Sequence, residues 1–312
     1  MAHYLLRRFC SMFFILLCVS IITFSLMHFV PGDPAKLIAE KKYGDNVTAE
    51  AVELVRSEMG LDRPVFIQYF NWMAGILRGD FGISSSTGRP VWDEITSKLP
   101  ATVELALAAM LVSLIIAIPV GILSAVKQYS IMDSACMLGA MLGVSMPNFW
   151  LGLLLILVFS VNLGWFPVYG RGDLTQLILP ALTLGTGIAA VTARLTRSSI
   201  LETLKQDYIR TARSKGLAER AVINRHALKN ALIPVVTVVG LQIGSLLEGA
   251  VVVEVIFAWP GLGRLLYDSI FARDFSVIQG CVFFIAVMYV IVNLLVDIIY
   301  VWLDPRIRYE AG

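Results

Sequence analysis

The 312-residue chain is short of charge, and the charge it has is bunched. Only 15% of its residues are Asp, Glu, Lys or Arg, where soluble chains carry about a quarter. With 57% apolar residues and a mean hydropathy of +0.77, an ordinary soluble domain is excluded. A net charge of +2 gives no uniformly basic surface, so no nucleic-acid partner is indicated. Histidine is scarce: His3, His28 and His226 are scattered over a terminus, an apolar run and a polar stretch. Cys10, Cys18, Cys136 and Cys281 stand singly in apolar runs, without CxxC spacing, which supports neither a disulfide framework nor a metal site. There is no GxxxxGKS/T phosphate loop, no HExxH and no GxSxG elbow. The chain is therefore not expected to be an enzyme, to hydrolyse ATP alone or to bind a cofactor of its own.

Long apolar runs dominate what is present. Six candidate spans read as 9–30, 101–125, 134–161, 177–197, 232–256 and 280–302, each long enough to cross the hydrocarbon core as a helix. The runs are continuous rather than alternating with a period of two, which disfavours a β-barrel. The expected fold class is thus an all-α polytopic membrane protein, in which 1–312 form one transmembrane domain. The first run follows Arg7 and Arg8, exceeds a typical signal-peptide core and lacks a small-x-small cleavage site, so it reads as an uncleaved helix. Pro119 and Pro147 lie inside spans; kinks are expected, and a break at Pro147.

Lys and Arg orient the spans. The 198–231 loop and its edge carry Arg194, Arg197, Lys205, Arg210, Arg213, Lys215, Arg220, Arg225 and Lys229 against Glu202, Asp207 and Glu219. Segment 31–98 has eight basic and ten acidic residues, a net of −2. The positive-inside rule makes the basic loop cytoplasmic and 31–98 extracytoplasmic. Six spans then leave both termini cytoplasmic, which agrees with Arg7, Arg8, Arg306 and Arg308. Within 31–98, Thr48 can cap a helix that stops at Gly60. A second helix entered at Pro64 places Phe66, Tyr69, Phe70, Met73 and Leu77 at three- and four-residue spacing, with Trp72 beside them. That pattern suits an amphipathic helix at the membrane interface.

Polar residues inside spans are few. Glu104 and Asp297 lie near span ends, where a carboxylate reaches water cheaply. Glu248 and Glu254 are six residues apart, about 240° around a helix, so they point to different faces. Glu254 reads as structural and Glu248 as a candidate for the translocation path. Asn148 and Gln242 can either line a path or bond helix to helix.

Motifs running from end to end resemble the membrane permeases of bacterial ATP-binding-cassette (ABC) importers, in the dipeptide, oligopeptide and nickel branch. They include "LDRPVFIQYFNWMAGILRGDFGIS" (61–84), "GVSMPNFWLGLLLILVFS" (143–160) and "ARLTRSSILETLKQDYIRTARSKGL" (193–217). "RHALKNALIPVVT" (225–237) and "VVVEVIFAWPGLGRLL" (252–266) extend the likeness. The resemblance implies that 198–231 is a coupling loop seated on an ATP-binding subunit. Arg210-Thr211-Ala212 take the positions of the importer-wide Glu-Ala-Ala, Gly216 that of its glycine, and Ile233-Pro234 those of its Leu-Pro. The implied coupling set is Asp207, Arg210, Thr211, Ala212, Gly216, Leu217, Arg225, His226 and Pro234. On physical grounds alone, Gly216 can end one helix in the left-handed conformation and "AERAVINRHALKNAL" can form a second short one.

The resemblance also implies the assembly: two ATP-binding subunits that hold ATP and Mg, a second and distinct permease, an extracytoplasmic solute-binding protein and the bacterial inner membrane. The expected solute is a dipeptide, a longer or glutathione-like peptide, or nickel, which could cross as a chelate. A stand-alone secondary transporter or channel is the alternative, and it predicts activity without ATP.

Overall fold

A computed structural model of the chain describes residues 2–29, 33–44 and 46–303. The helices in chain order are α1 Ala2–Phe29, α2 Pro34–Tyr43, α3 Ala49–Glu58, α4 Val65–Leu77, α5 Val91–Val126, α6 Ile131–Ser145 and α7 Asn148–Leu155. They continue with α8 Leu174–Leu204, α9 Asp207–Ser214, α10 Glu219–Ala221, α11 Leu228–Ile256, α12 Leu262–Phe271 and α13 Phe275–Leu303. π-helical turns extend α7 over Ile156–Asn162 and join α10 to α11 over Val222–Ala227. Among the described residues the only sheet-like pairing is the bridge Ile83–Pro90.

Among the described residues, five helical stretches are long and apolar enough to cross a membrane, and the pair Ile131–Ser145 and Asn148–Asn162 makes a sixth if counted as one span. That pair is bent by 107°. The bend falls where Pro147 was expected to break the run. Met146 there takes the extended conformation (φ −80°, ψ 124°) that a residue before proline prefers. Pro119, where a kink was expected, lies within the continuous helix α5, as Pro180 does in α8 and Pro234 in α11. Several boundaries move. α5 begins ten residues before the expected start, and α8 runs seven residues past the expected end of its span. Arg306 and Arg308 lie outside the described residues, as do the side chains of Arg7 and Glu248.

The chain divides into two compact units, residues 1–100 with 261–291, and residues 101–260 with 292–312. In the first, Thr48 caps α3 by accepting from the Ala51 N–H (3.3 Å), and Gly60 follows the helix with φ +64°. Asp33 caps α2 and pairs with Arg56 at 2.5 Å. The Asp274 carboxylate, 1% exposed, gathers the Ser84 hydroxyl (2.6 Å) and the N–H groups of Ser86 (3.0 Å) and Val277 (3.3 Å). Burial pushes its pKa up, but these donors outweigh burial and hold it below the usual value. Lys41 ties α2 to the same knot through the Ser85 and Ser86 hydroxyls and the Ala272 carbonyl.

α4 is apolar on more than one face. Trp72 and Tyr69 pack on Phe24, with ring centroids 5.8 and 5.5 Å away, Trp72 meets Phe283, and Ile76 is buried. Phe66, Phe70 and Leu77 are exposed, which leaves one apolar face of α4 uncovered by the protein, as an interfacial helix would have it. The ring of Trp72, rather than those of Phe66 and Phe70, anchors this helix.

In the second unit α5, α8 and α11 share one core. Ala101, Leu105 and Ala109 meet Leu179 and Leu184 of α8, and Leu246, Ala250 and Val253 of α11. Trp259 closes its end by donating its indole N–H to the Ala101 carbonyl (2.8 Å). Glu254, fully buried, accepts from the Thr102 hydroxyl at 2.6 Å, the structural role expected of it. Glu104, at the same end, pairs with Arg171 at 2.6 Å.

Glycines set the helix spacing. A Cβ on Gly185 would lie 2.5 Å from the Ala109 carbonyl oxygen, and one on Gly121 would lie 2.5 Å from Thr196 Cβ. A Cβ on Gly139 would meet nothing within 4 Å. Gly121→Ala is therefore expected to destabilise the purified protein by about 1–3 kcal/mol through overpacking, and Gly139→Ala to leave it nearly unchanged. Thermal unfolding of the two variants in one detergent checks this. Equal midpoints would contradict the packing.

Candidate functional site

The basic stretch folds into a compact knob. α8 ends at Leu204, and α9 follows from Asp207. In an otherwise polar window, Ile209 and Ala212 are three residues apart on one side of α9. Both are buried against Val222 and Ala227 of the π-helical turn, with Leu204 beside them. Gly216 then reverses the chain at φ +78°, a conformation only glycine takes freely. Arg213 and Glu219 close the reversal with a two-pronged ion pair at 2.6 and 3.1 Å, which raises the pKa of Arg213 above its ordinary value. Asn230 donates to the Tyr208 hydroxyl at 2.8 Å, tying α9 to the first turn of α11.

Gly216 does end the first helix. The expected second short helix is not separate: residues 219–256 run without interruption from α10 through the π turn into α11. Val222 and Ala227 pack onto α9, and Leu228 and Ala231 onto α8, and the helix then continues into the apolar run beyond Leu232. Only 205–218 lies between the two long helices.

The nine sequence-derived coupling residues divide accordingly. Asp207, Arg210, Thr211, Gly216 and Leu217 share the exposed outside of the knob. Ala212 is 6% exposed and faces inward, so it holds α9 in place rather than presenting a surface. Arg225 is exposed and His226 half-buried on the π turn. Pro234 stands about 20 Å beyond Glu219 by helical rise and does not join this surface. Sequence reasoning missed Tyr208, whose ring is half-exposed beside Asp207, and Ile209, whose three-residue spacing from Ala212 was the available signal.

The candidate path residues sit on α7, α8 and α11. Asn148 opens α7 just after the bend, half-exposed and with no hydrogen bond among the described residues. Glycines give its amide room: a Cβ on Gly249 would come 3.4 Å from its Nδ2, and one on Gly187 would come 3.7 Å from its Oδ1. Gln242 is engaged, accepting from the Thr192 hydroxyl at 3.1 Å and so bonding α11 to α8. Glu248 belongs to α11, and its side chain lies outside the described residues.

Residues 117–309 match the family model described as the binding-protein-dependent transport system inner membrane component. Residues 1–106 match the N-terminal model of the same transport systems. The chain belongs to this family. It is an ABC importer permease subunit of the inner membrane, in a class whose members lack an ATPase site of their own. It is 44% identical to the glutathione transport system permease protein GsiC of Escherichia coli (strain K12) over 310 residues, covering 99% of this chain and 100% of that one. The same figures hold for the GsiC protein of Shigella dysenteriae serotype 1 (strain Sd197). Among solved structures, an inward-facing MetNI methionine ABC transporter aligns with TM-score 0.57 and 18% identity, covering 67% of this chain and 95% of that chain. An amino acid ABC transporter with histidines aligns with TM-score 0.54 and 17% identity, covering 67% and 93%. At these identities the two structures speak for the fold.

One ionic contact in the permease's helical core went unnoticed in the sequence. Asp133, the sole charged residue between Ile131 and Asn162, is almost fully buried near the start of α6. Arg197 of α8 grips it through Nε (2.8 Å) and Nη2 (2.7 Å). The Ser124 hydroxyl of α5 and the Tyr129 N–H (2.9 Å) complete four donors to one carboxylate. A charge inside an apolar stretch was the signal available, since such residues are expensive in a membrane and rarely idle.

The reversal at Gly216 has open space around it, so only backbone conformation opposes substitution. Gly216→Ala is expected to cost about 1 kcal/mol, and the β-branched Gly216→Val more. Hydrogen–deuterium exchange should then rise across residues 207–218 and stay level in α8. Exchange unaltered in Gly216→Val would contradict a fixed left-handed turn there.

Proposed function

We propose that the chain forms half of the translocation path of an ATP-driven importer of short peptides, with glutathione the first solute to test. The observation that carries this is the 44% identity, over 99% of the chain, to permeases of glutathione transport systems. A tripeptide has amide, ammonium and carboxylate groups, and in this reading Asn148 and Glu248 meet them, with Gln242 nearby. Two ATP-binding subunits carry ATP and Mg and dock on the knob at Asp207, Arg210, Thr211, Gly216 and Leu217. In this reading Arg225 and His226 flank the docked surface, and Ala212 keeps it rigid. The exposed side chains on a braced turn support that role: a partner can press on the knob without first having to order it.

The basic knob is cytoplasmic by charge, as are both termini, and 31–98 is extracytoplasmic. A second, distinct permease completes the path. A solute-binding protein delivers to 31–98 and to 257–279. When the ATP-binding subunits close, the two knobs are drawn together and the path turns outward.

The test is co-purification from native membranes, followed by reconstitution in vesicles. ATP-binding subunits and a second permease should be recovered. ATP should drive uptake of radiolabelled glutathione, with dipeptide and nickel as comparison arms. Uptake indifferent to ATP would overturn the reading in favour of a secondary transporter. Nickel uptake with no peptide uptake would overturn the choice of solute. Leu217→Asp, which puts a charge on the exposed tip, is expected to lower recovery of the ATP-binding subunits about tenfold, equivalent to ~1.4 kcal/mol. Glu248→Gln should alter solute preference; unchanged transport would remove Glu248 from the path.

A further inference from the structure

The α6–α7 hairpin carries the open amide of Asn148, yet it has one charged residue with which to grip the rest of the protein. Past the bend, Leu155, Ile156 and Phe159 pack on the core shared by α5, α8 and α11; before it, α6 meets α8 through small residues, a Cβ on Gly143 coming 3.3 Å from that of Ala190. Contacts between such small residues resist separation more than they resist sliding. The Asp133–Arg197 contact differs in kind. A guanidinium fork on a carboxylate fixes distance and orientation together. Ser124 and the Tyr129 N–H hold the same carboxylate from α5 and from the turn before α6.

Arg197 stands two helical turns before the end of α8, which leads directly into α9. The end of α8 is welded to its neighbours, since Ile200, Leu201 and Leu204 pack with Ala125 of α5 and with Leu228 and Ala231 of α11. A displacement of the knob is therefore carried rigidly to Arg197. From there it reaches the hairpin through Asp133.

We propose that Asp133 and Arg197 are positioning residues for transport, linking motion of the α8–α9 knob to the broken helix pair that bears Asn148. This rests on the reading of the knob as the docking point for ATP-binding subunits. The pair touches neither nucleotide nor solute. It sets how much of each ATP-driven stroke reaches the path.

The experiment uses the complete transporter in vesicles, measuring uptake of radiolabelled glutathione and ATP hydrolysis in the same sample. With Asp133→Asn the hydrolysis continues, while glutathione carried per ATP falls about tenfold, within the usual range for coupling between distant sites. Arg197→Lys keeps the charge and loses the fork, and its ratio falls between the two. An unchanged ratio in both variants overturns the proposal. So does a parallel fall of uptake and hydrolysis in the assembled complex, because a merely structural pair lowers both and leaves the ratio alone. Should Asp133→Asn fail to assemble, Arg197→Lys is read by the same two outcomes. Failure of the docking reading shows separately, as full recovery of ATP-binding subunits with Leu217→Asp.

Discussion

Hydrocarbon is as apolar as leucine, so helices inside a bilayer gain little by hiding apolar side chains from it; close contact has to hold them together. Here that contact depends on residues with almost no side chain. Gly185 lets α8 lie against the Ala109 carbonyl, Gly121 receives Thr196, and Gly249 admits Leu184. Once the helices are that close, short polar side chains can bridge them. Thr192 reaches Gln242, and Thr102 reaches the buried Glu254. The aromatic rings of Phe257 and Trp259 join this core where α11 ends. The glycines thus decide where hydrogen bonds between helices are possible at all.

The knob is built on a different principle. At α9 the environment is polar, and burial of Ile209 and Ala212 against Val222 and Ala227 can draw on the hydrophobic effect directly. The Arg213–Glu219 pair is exposed and adds little by itself. Its geometry closes a turn that Gly216 has already made possible. A small apolar core, one glycine and one ion pair fix a loop whose outer residues remain exposed.

Hydropathy made the spans legible, because six long apolar runs leave few architectures open. It could not set their ends. α5 continues into "VWDEITSKLP", where amphipathic residues pack along a helix that hydropathy alone stops at Pro100. Local caps were readable wherever one residue decides the outcome: Thr48 on α3, Gly60 after it, and Gly216 after α9. Prolines were ambiguous, since Pro119 stays within a helix while Pro147 ends one, and the surroundings choose between them. Which side of α4 packs inward was not legible, because its rings lie all round the helix and only contact with Phe24 and Phe283 selects Trp72. Among the candidate site residues, the exposed side of the knob followed from family likeness. The burial of Ala212 and the Asp133–Arg197 grip needed three dimensions, because their partners are distant in sequence or on another helix.

The π-helical turn at Val222–Ala227 has a bearing on how sequences of this kind can vary. A π turn accommodates one residue more than an α turn, so it takes up that residue between α10 and α11 with little change in their phase. Removing a single residue there could be absorbed by conversion to ordinary α-helix, with the chain unbroken and its hydropathy profile nearly the same. Six residues of π turn carry the chain around the axis about as far as five of α-helix, so the α9 face would keep nearly the same orientation to the membrane-spanning part of α11. A one-residue gap at this point in an alignment would therefore leave the lever in line with its shaft, whereas the same gap a turn further along α11 would swing it by about 100°.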